Sequence, residues 1–260
     1  MKLPLFQVDA FAESLFKGNP AAVIPLEQWL DAETMQLIAF ENNLSETAFF
    51  VPTQEGFEIR WFTPKAEVKL CGHATLATAH VIFTEANYPK DEITFGSQSG
   101  PLKVKKRGER LQLNFPADRM HPIDAPNQII QALGKLPTSC FKGKTDYMLV
   151  YETEKEIREM TPNFSLLVKT DARGVIVTAP GTKADFVSRF FAPRVGVDED
   201  PVTGSAHTSL TPYWSRQLGK NEMTAQQLSK RGGELLLSLQ GDRVLIAGKT
   251  TTYLRGEIFI

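Results

Sequence analysis

Two short stretches of the chain combine a glycine with small residues and with groups that can exchange protons. Residues 70–80 read LCGHATLATAH, and residues 198–209 read DEDPVTGSAHTS. In each stretch a glycine, Gly72 or Gly204, stands where a helix is expected to begin. A helix start carries unpaired backbone N–H groups and a partial positive charge, which favour a carboxylate or another anion. The two stretches therefore predict two anion-binding helix starts, where glycine allows a ligand to approach the backbone closely.

Glu46, His73 and Asp200 are the candidate acid–base groups. Glu46 lies in the strand-like run LSETAFF, where alternation places it on one face with Ala48 and Phe50. Apolar neighbours would desolvate its carboxylate and favour the protonated form, which allows a glutamate to exchange protons with carbon near neutral pH. An outward-facing strand glutamate is the simpler alternative. His73 either orients a carboxylate, shuttles a proton or caps its helix, and Asp200 is either a turn residue or a partner for the substrate or for His73.

The two cysteines and the missing motifs limit the chemistry further. Racemases that work without a cofactor use two thiols that face each other, but the stretch around Gly204 has no cysteine and Cys140 lies in an unrelated segment. Cys71 is therefore expected to be a packing residue. The chain lacks the usual nucleotide-phosphate, zinc-protease and nucleophile-elbow motifs, and its four scattered histidines form no obvious metal set. The sequence predicts neither a metal nor a cofactor.

Composition excludes several other classes of partner. Of the 260 residues 42% are hydrophobic and 23% charged, and the net charge is −1, so no global basic field favours nucleic acid or an anionic membrane. No run of 18 apolar residues suits a membrane span, and the first residues lack the apolar core of a signal peptide. We expect a cytoplasmic protein whose partner is a small anionic molecule.

Helix signals place the glycine-led stretches among the other elements. Asp31 is a predicted N-cap for a first helix. The stretch that begins at Gly72 is predicted to stay helical until Asn87, before a proline. Residues 154–169 are predicted to be helical, with a break or boundary near Pro162. Residues 204–219 are also predicted to be helical, with Pro212 either inside the helix or at the start of its second part.

The order of elements repeats along the chain. Each half reads as strands, a helix, more strands, a glycine-led helix and closing strands, and Gly72 and Gly204 are about half the chain apart. This predicts two related α+β halves that face one another, residues 1–116 and 117–260, with closing strands that can cross between the halves. A chance match is the alternative.

Six motifs together resemble the phenazine-biosynthesis F-type (PhzF-like) isomerase family. They are FKGNPAAV, NLSETAFF, RWFTP, LCGHATLATAH, DEDPVTGSAHTS and RGGELL, in family order across nearly the whole chain. The resemblance implies the diaminopimelate-epimerase-like fold, in which two similar domains each wrap a β-barrel-like sheet around a central helix and the active site lies between them. It also implies a homodimer and a reaction without a cofactor.

The resemblance also assigns roles to residues. Glu46 matches the family's catalytic general acid/base, and His73 and Asp200 match residues that assist it. The backbone N–H groups implied in substrate binding are those of Gly72, Gly204 and Ser205, and the small residue Ala74 is expected to keep the substrate space open. A single glutamate suits an isomerase that shifts a proton between two carbons of a small carboxylate better than an epimerase, which normally needs a base on each side. The alternatives are an epimerase or racemase of a small amino or hydroxy acid, and a non-catalytic relative that binds a small molecule.

Overall fold

The computed structural model describes residues 1–260. Runs of β-branched and aromatic residues form most of its strands. The chain divides into two units, Met1–Asn114 with Ala247–Ile260, and Phe115–Ile246. The last strand therefore belongs to the first unit. None of the helices combines the length and the apolar character that crossing a bilayer requires.

The first unit contains two helices and nine strands. Its helices are α1 (Ala32–Asn42) and α2 (Gly72–Glu85). The strands that lie wholly or mainly in it are β1 (Lys2–Ala10), β2 (Asn19–Pro25), β3 (Glu46–Pro52), β4 (Phe57–Phe62), β5 (Glu67–Val68), β6 (Glu92–Gly96), β7 (Leu102–Arg107), β8 (Arg110–Pro116) and β18 (Thr250–Phe259).

The second unit contains four helices and the remaining nine strands. Its helices are α3 (Asn127–Leu133), α4 (Glu154–Glu159), α5 (Phe164–Leu167) and α6 (Gly204–Leu218), with a short 3-10 turn at Pro193–Val195. Its strands are β9 (His121–Ile123), β10 (Ser139–Lys142), β11 (Asp146–Val150), β12 (Gly174–Pro180), β13 (Phe186–Ala192), β14 (Val197–Glu199), β15 (Glu222–Gln227), β16 (Gly233–Gln240) and β17 (Arg243–Gly248).

The two units repeat one pattern of strand pairing. In the first unit the sheet order is β18–β1–β2–β3–β4–β6–β7–β8, with β2/β3 and β4/β6 parallel and the other neighbours antiparallel. In the second unit the order is β9–β10–β11–β12–β13–β15–β16, with β11/β12 and β13/β15 parallel. Parallel neighbours need a crossover connection, which α1 and α2 provide in the first unit, and α4–α5 and α6 in the second. The predicted α+β fold class is thus confirmed.

The glycine-led helices are the buried helices of their units. In α2 nearly every residue from His73 to Ile82 is buried, as expected for a helix enclosed by strands on several sides, and it packs mainly on β1, β2 and β3. In α6, Pro212 lies inside the helix. Proline cannot donate to the carbonyl four residues earlier, and the backbone N–H of Asp118 donates to that Thr208 carbonyl at 3.1 Å instead.

Several local predictions are confirmed. The Asp31 carboxylate caps α1 by accepting from the Thr34 backbone N–H at 2.8 Å. Helix α2 ends at Glu85, two residues before the predicted end. The stretch around Pro162 forms two short helices, α4 and α5, because Pro162 lies between them. Strands β10 and β15 have the sequences SCFK and EMTAQQ, which carry few apolar residues and show no strand pattern of their own.

Candidate active site

Glu46 is the first residue of β3 and follows the end of α1. The C-cap of α1 is Asn43, which has a left-handed backbone conformation and ends the helix before the chain enters β3. The next strand residues are buried on both faces, whereas the Glu46 side chain keeps 18% of its surface exposed. Its Oε2 atom is buried, which leaves Oε1 as the oxygen that can reach a ligand.

His73, the second residue of α2, contacts this carboxylate directly. Its Nε2 atom lies 3.1 Å from Glu46 Oε2, and its side chain is buried. The two atoms lack the alignment of a good hydrogen bond, so the contact is electrostatic and can tighten when a ligand binds. The structure thus brings together two of the three predicted acid–base groups.

Asn19 and Cys71 surround the other ring nitrogen. The Asn19 amide nitrogen lies 3.2 Å from His73 Nδ1, and the Cys71 sulfur lies 3.6 Å from it. In the neutral ring the Asn19 amide donates to Nδ1, which fixes the ring proton on Nε2, facing Glu46. When the ring is charged, the Nδ1 proton has the Cys71 sulfur as its acceptor.

Electrostatics favour a charged His73 beside Glu46. Burial works against the charged ring, but the neighbouring Cys71 and Glu46 groups outweigh it and hold the pKa of His73 well above its ordinary value. Burial raises the pKa of the Cys71 thiol, and the negative charge of Glu46 raises it further. Burial therefore disfavours the thiolate, and Cys71 supports the charged ring through its sulfur, which is an acceptor for the Nδ1 proton.

Glu46, Cys71 and His73 also form the kind of group that can hold a metal ion, since one ligand atom from each lies within 4.8 Å of the others. A thiol with a raised pKa is a poor starting point for a metal ligand, because the thiolate is the binding form. A metal would also have to replace the contact between Glu46 and His73. The arrangement suits proton exchange better.

Asn19 was not among the predicted site residues. It starts β2 as a fully buried polar residue in the otherwise apolar run NPAAVIP. The preceding Gly18 has a φ of +67°, and a Cβ there would lie 2.2 Å from the Ala10 carbonyl oxygen. Only glycine fits this close turn, which delivers Asn19 to His73. A polar residue after such a glycine, at the head of a buried strand, is the signal that could have identified it.

The other predicted site residues lie at the start of each buried helix. Gly72 is the first residue of α2, and Ala74 is fully buried in its first turn. The N-cap of α2 is Cys71, whose side chain makes no capping hydrogen bond. In the second unit Gly204 starts α6 after the N-cap Thr203, which likewise makes none, and the side chain of Ser205 is exposed.

Asp200 belongs to a hydrogen-bonded network in front of α6. The Thr203 hydroxyl donates to Asp200 Oδ2 at 2.5 Å. The buried Gln227 amide donates to the Asp200 carbonyl at 2.8 Å and accepts from the Thr203 backbone N–H at 2.8 Å. This network holds Asp200 just before α6, and Gln227 is a partner of Asp200 that the sequence did not indicate.

Corresponding elements of the two units differ in the ionisable side chains that they carry. Strands β3 and β12 occupy the same place in the pairing pattern, are seven residues long and end in proline, but β3 begins with Glu46 and β12 with Gly174. The N-caps of the two buried helices are Cys71 and Thr203. The second unit therefore has no carboxylate where the first has Glu46, and no thiol where the first has Cys71.

Comparisons with known proteins agree on one family. The sequence model of the phenazine biosynthesis-like proteins (PhzC-PhzF) matches residues 8–256. A protein of Pseudomonas aeruginosa named as an uncharacterized isomerase is 53% identical over 99% of both chains. The crystal structure of a PhzF-family phenazine biosynthesis protein from Enterococcus faecalis is 46% identical, covers 100% of both chains and superimposes with a TM-score of 0.98.

A more distant likeness concerns the fold alone. The structure of a hydroxyproline epimerase from Agrobacterium vitis is 10% identical, with a TM-score of 0.67 over 99% of this chain and 92% of that one. Chains that share so few residues still share the arrangement of strands and buried helices.

Proposed function

This chain belongs to the phenazine biosynthesis-like (PhzC-PhzF) protein family and is an isomerase, and we propose that it moves a proton between two carbons of a small carboxylate substrate without a cofactor. Glu46 is the general acid/base in this proposal, and His73 assists it. The proposal also includes a cytoplasmic location, which the sequence predicts, and a homodimer, which the family resemblance implies.

The observation that carries the proposal is the contact between Glu46 and His73 at the start of α2. A partly exposed carboxylate with one buried oxygen is held 3.1 Å from an imidazole that has a raised pKa. The buried oxygen is fixed by the ring, and the other oxygen remains available for a substrate hydrogen. Such positioning makes proton transfer effectively intramolecular.

The reaction proceeds in two proton transfers. Glu46 takes a proton from a carbon of the substrate, and the electron pair of the broken C–H bond moves towards the substrate's carboxyl or neighbouring oxygen. Backbone N–H groups at the start of α2 stabilise this developing charge. The protonated Glu46 then returns the proton to another carbon on the same face, which restores the carboxylate. In this proposal Asp200 assists the acid–base chemistry, and Gly204 and Ser205 take part in substrate binding.

An epimerase that uses Cys71 as a second base is the alternative, and two observations weigh against it. Epimerisation normally needs a base on each side of the carbon, but the second unit has Gly174 and Thr203 where the first unit has Glu46 and Cys71. The pKa of Cys71 is also raised by burial, which disfavours the thiolate that would act as the base.

Replacement of Glu46 by glutamine tests the proposal. The variant Glu46→Gln keeps the shape of the side chain but cannot accept a proton. We expect it to bind small carboxylates as the wild type does and to lose the exchange of substrate hydrogen with solvent deuterium by at least about 10³-fold. Binding is measured by thermal shift across a panel of amino and hydroxy carboxylates, and exchange by NMR in D₂O.

The exposed Glu58→Gln variant is a matched control, because it makes the same chemical change in the neighbouring strand β4. Undiminished deuterium exchange in Glu46→Gln would falsify the role of Glu46. A non-catalytic binding relative is the second alternative, and it predicts ligand-induced thermal shifts without deuterium exchange in the wild type.

A further inference from the structure

The buried side chain of Gln227 bonds the chain segment that precedes α6 as a paired strand would. Gln227 is the last residue of β15 and is 1% exposed. Its amide oxygen accepts from the Thr203 backbone N–H at 2.8 Å, and its amide nitrogen donates to the Asp200 carbonyl at 2.8 Å. Neighbouring strands normally supply such a pair of backbone hydrogen bonds. Here one side chain supplies both and fixes the two ends of the segment 200–203.

The rest of this segment is held by residues that are distant in the sequence. It belongs to no helix or strand, so its own backbone pattern does not determine its shape. The Asp200 backbone N–H donates to the Phe190 carbonyl at 3.0 Å, and the Ser229 hydroxyl donates to the Pro201 carbonyl at 2.8 Å. Buried backbone groups need such partners. The place of Asp200 in front of α6 is therefore determined by contacts from outside the segment.

The network also determines where the Thr203 hydroxyl proton points. The backbone bonds allow only one orientation of the Gln227 amide, because an N–H group must face the Asp200 carbonyl. In that orientation the amide nitrogen also donates to Thr203 Oγ1 at 3.1 Å, and it cannot accept a proton in return. The hydroxyl therefore donates to Asp200 Oδ2, at 2.5 Å. A hydrogen bond from a hydroxyl to a carboxylate is of the strong, charge-assisted kind.

Thr203 gives up its usual local role for this bond. It is the N-cap of α6, where a threonine oxygen normally accepts from a backbone N–H in the first turn of the helix. The Thr203 side chain makes no such capping bond. Its hydroxyl instead contacts Gln227 and Asp200. A residue type that stabilises helix starts is thus used here to orient a carboxylate.

We propose that Gln227 and Thr203 are positioning residues, which hold the Asp200 carboxylate in one orientation in front of α6 for the isomerase reaction. This inference rests on the role of Asp200 in the proposed function. Gln227 fixes the backbone of the segment and the Thr203 hydroxyl, and the hydroxyl fixes Oδ2. One oxygen of Asp200 is therefore in place before a substrate binds, which lowers the entropic cost of reaching the reactive geometry.

The variant Thr203→Val tests the bond to Asp200. Valine keeps the shape of threonine but has no hydroxyl, so we expect turnover to fall about 10-fold. The melting temperature should stay within about 2 °C of the wild type, because no helix cap is lost. Thr203→Ser restores the hydroxyl and should return turnover to within about 3-fold of the wild type. A lower melting temperature with unchanged turnover, or a serine variant no better than valine, overturns the proposal.

The variant Gln227→Met tests the hold on the segment without any substrate. The Thr203 backbone N–H loses its acceptor, so its hydrogen exchange, followed by NMR, should become at least about 10-fold faster. Gln226→Met is the matched control. Gln226 precedes Gln227 in the same strand, and its amide donates to Glu234 at 2.9 Å, so this variant should leave the exchange at Thr203 unchanged. Equal exchange rates in the two variants overturn the role of Gln227.

A double-variant comparison separates positioning from a purely structural effect. If Thr203 acts through Asp200, Thr203→Val should lower turnover by less than about 2-fold in an Asp200→Ala background. A full loss in both backgrounds overturns this inference alone. Wild-type turnover in Asp200→Ala overturns the role of Asp200 and, with it, positioning for the reaction. Failure of the proposed proton transfer itself is seen separately, as undiminished deuterium exchange in Glu46→Gln.

Discussion

At the scale of single residues, the candidate site depends on which of two neighbours of His73 carries negative charge. Glu46 and Cys71 both lie next to the ring, at 3.1 Å and 3.6 Å. Burial raises the pKa of Cys71, and the negative charge of Glu46 raises it further, which favours the neutral thiol. The thiol is thus a small, neutral contact for the ring.

The variant Cys71→Ser follows from this division of roles. Serine keeps the size of the side chain and a polar contact to Nδ1, so we expect turnover within about 5-fold of the wild type. His73→Gln, which removes the charge beside Glu46, should lower turnover by about 10². Steady-state kinetics with a substrate from the carboxylate panel measure both. A drop of about 10³ in Cys71→Ser would instead assign the proton transfer to the thiol.

At the scale of elements, the start of α6 offers a change that separates folding from substrate binding. Gly204 has an ordinary backbone conformation, and an added Cβ would meet nothing within 4 Å. Alanine is a better helix former than glycine, so Gly204→Ala should leave the melting temperature unchanged or raise it. If the backbone N–H groups at this helix start hold the substrate, the methyl group intrudes and KM should rise about 10-fold with a smaller change in kcat. An unchanged KM would remove Gly204 from the substrate site.

The elements also show what a sequence can and cannot predict here. Local signals predicted α1, α2 and α6, because the cap at Asp31 and the glycines at the helix starts act over a few residues. Strand β15 was not predicted, because apolar and polar residues alternate only weakly in EMTAQQ. Its place in the sheet depends on pairing with the parallel neighbour β13. Asn19 was missed for a similar reason: its contact with His73 joins residues 54 positions apart, and no local pattern reports such a contact.

Across the whole chain, the two units repeat one fold but differ at the residues for which we propose a chemical role. Both units keep the order of antiparallel and parallel strand pairs and a buried crossover helix. The first unit places Glu46 and His73 at its two key positions, whereas the second has Gly174 and Ser205 there. A glutamate at the head of β12 would require space, yet a Cβ at Gly174 would already lie 2.2 Å from the Phe190 ring. Packing in the second unit therefore disfavours a base at this position, in line with the one-base reaction that we propose for Glu46.

Stability of the second unit should depend on pH through His207, a residue of α6 outside the proposed chemistry. Its side chain is fully buried and its Nδ1–H donates to the Thr203 carbonyl at 2.8 Å. Burial lowers the pKa of His207 to about 4, so between pH 6.5 and 4 the unfolded chain binds a proton that the folded chain does not. The free energy of unfolding therefore falls as the pH falls through this window, by about 3 kcal/mol in total at about 1.4 kcal/mol per pH unit.

The variant His207→Gln tests this pH dependence. It keeps an N–H donor but does not titrate, so the difference in unfolding free energy between wild type and variant should shrink by about 3 kcal/mol from pH 7 to pH 4. Urea unfolding at several pH values measures it, and a constant difference would mean that His207 is protonated in the folded protein as readily as in the unfolded chain.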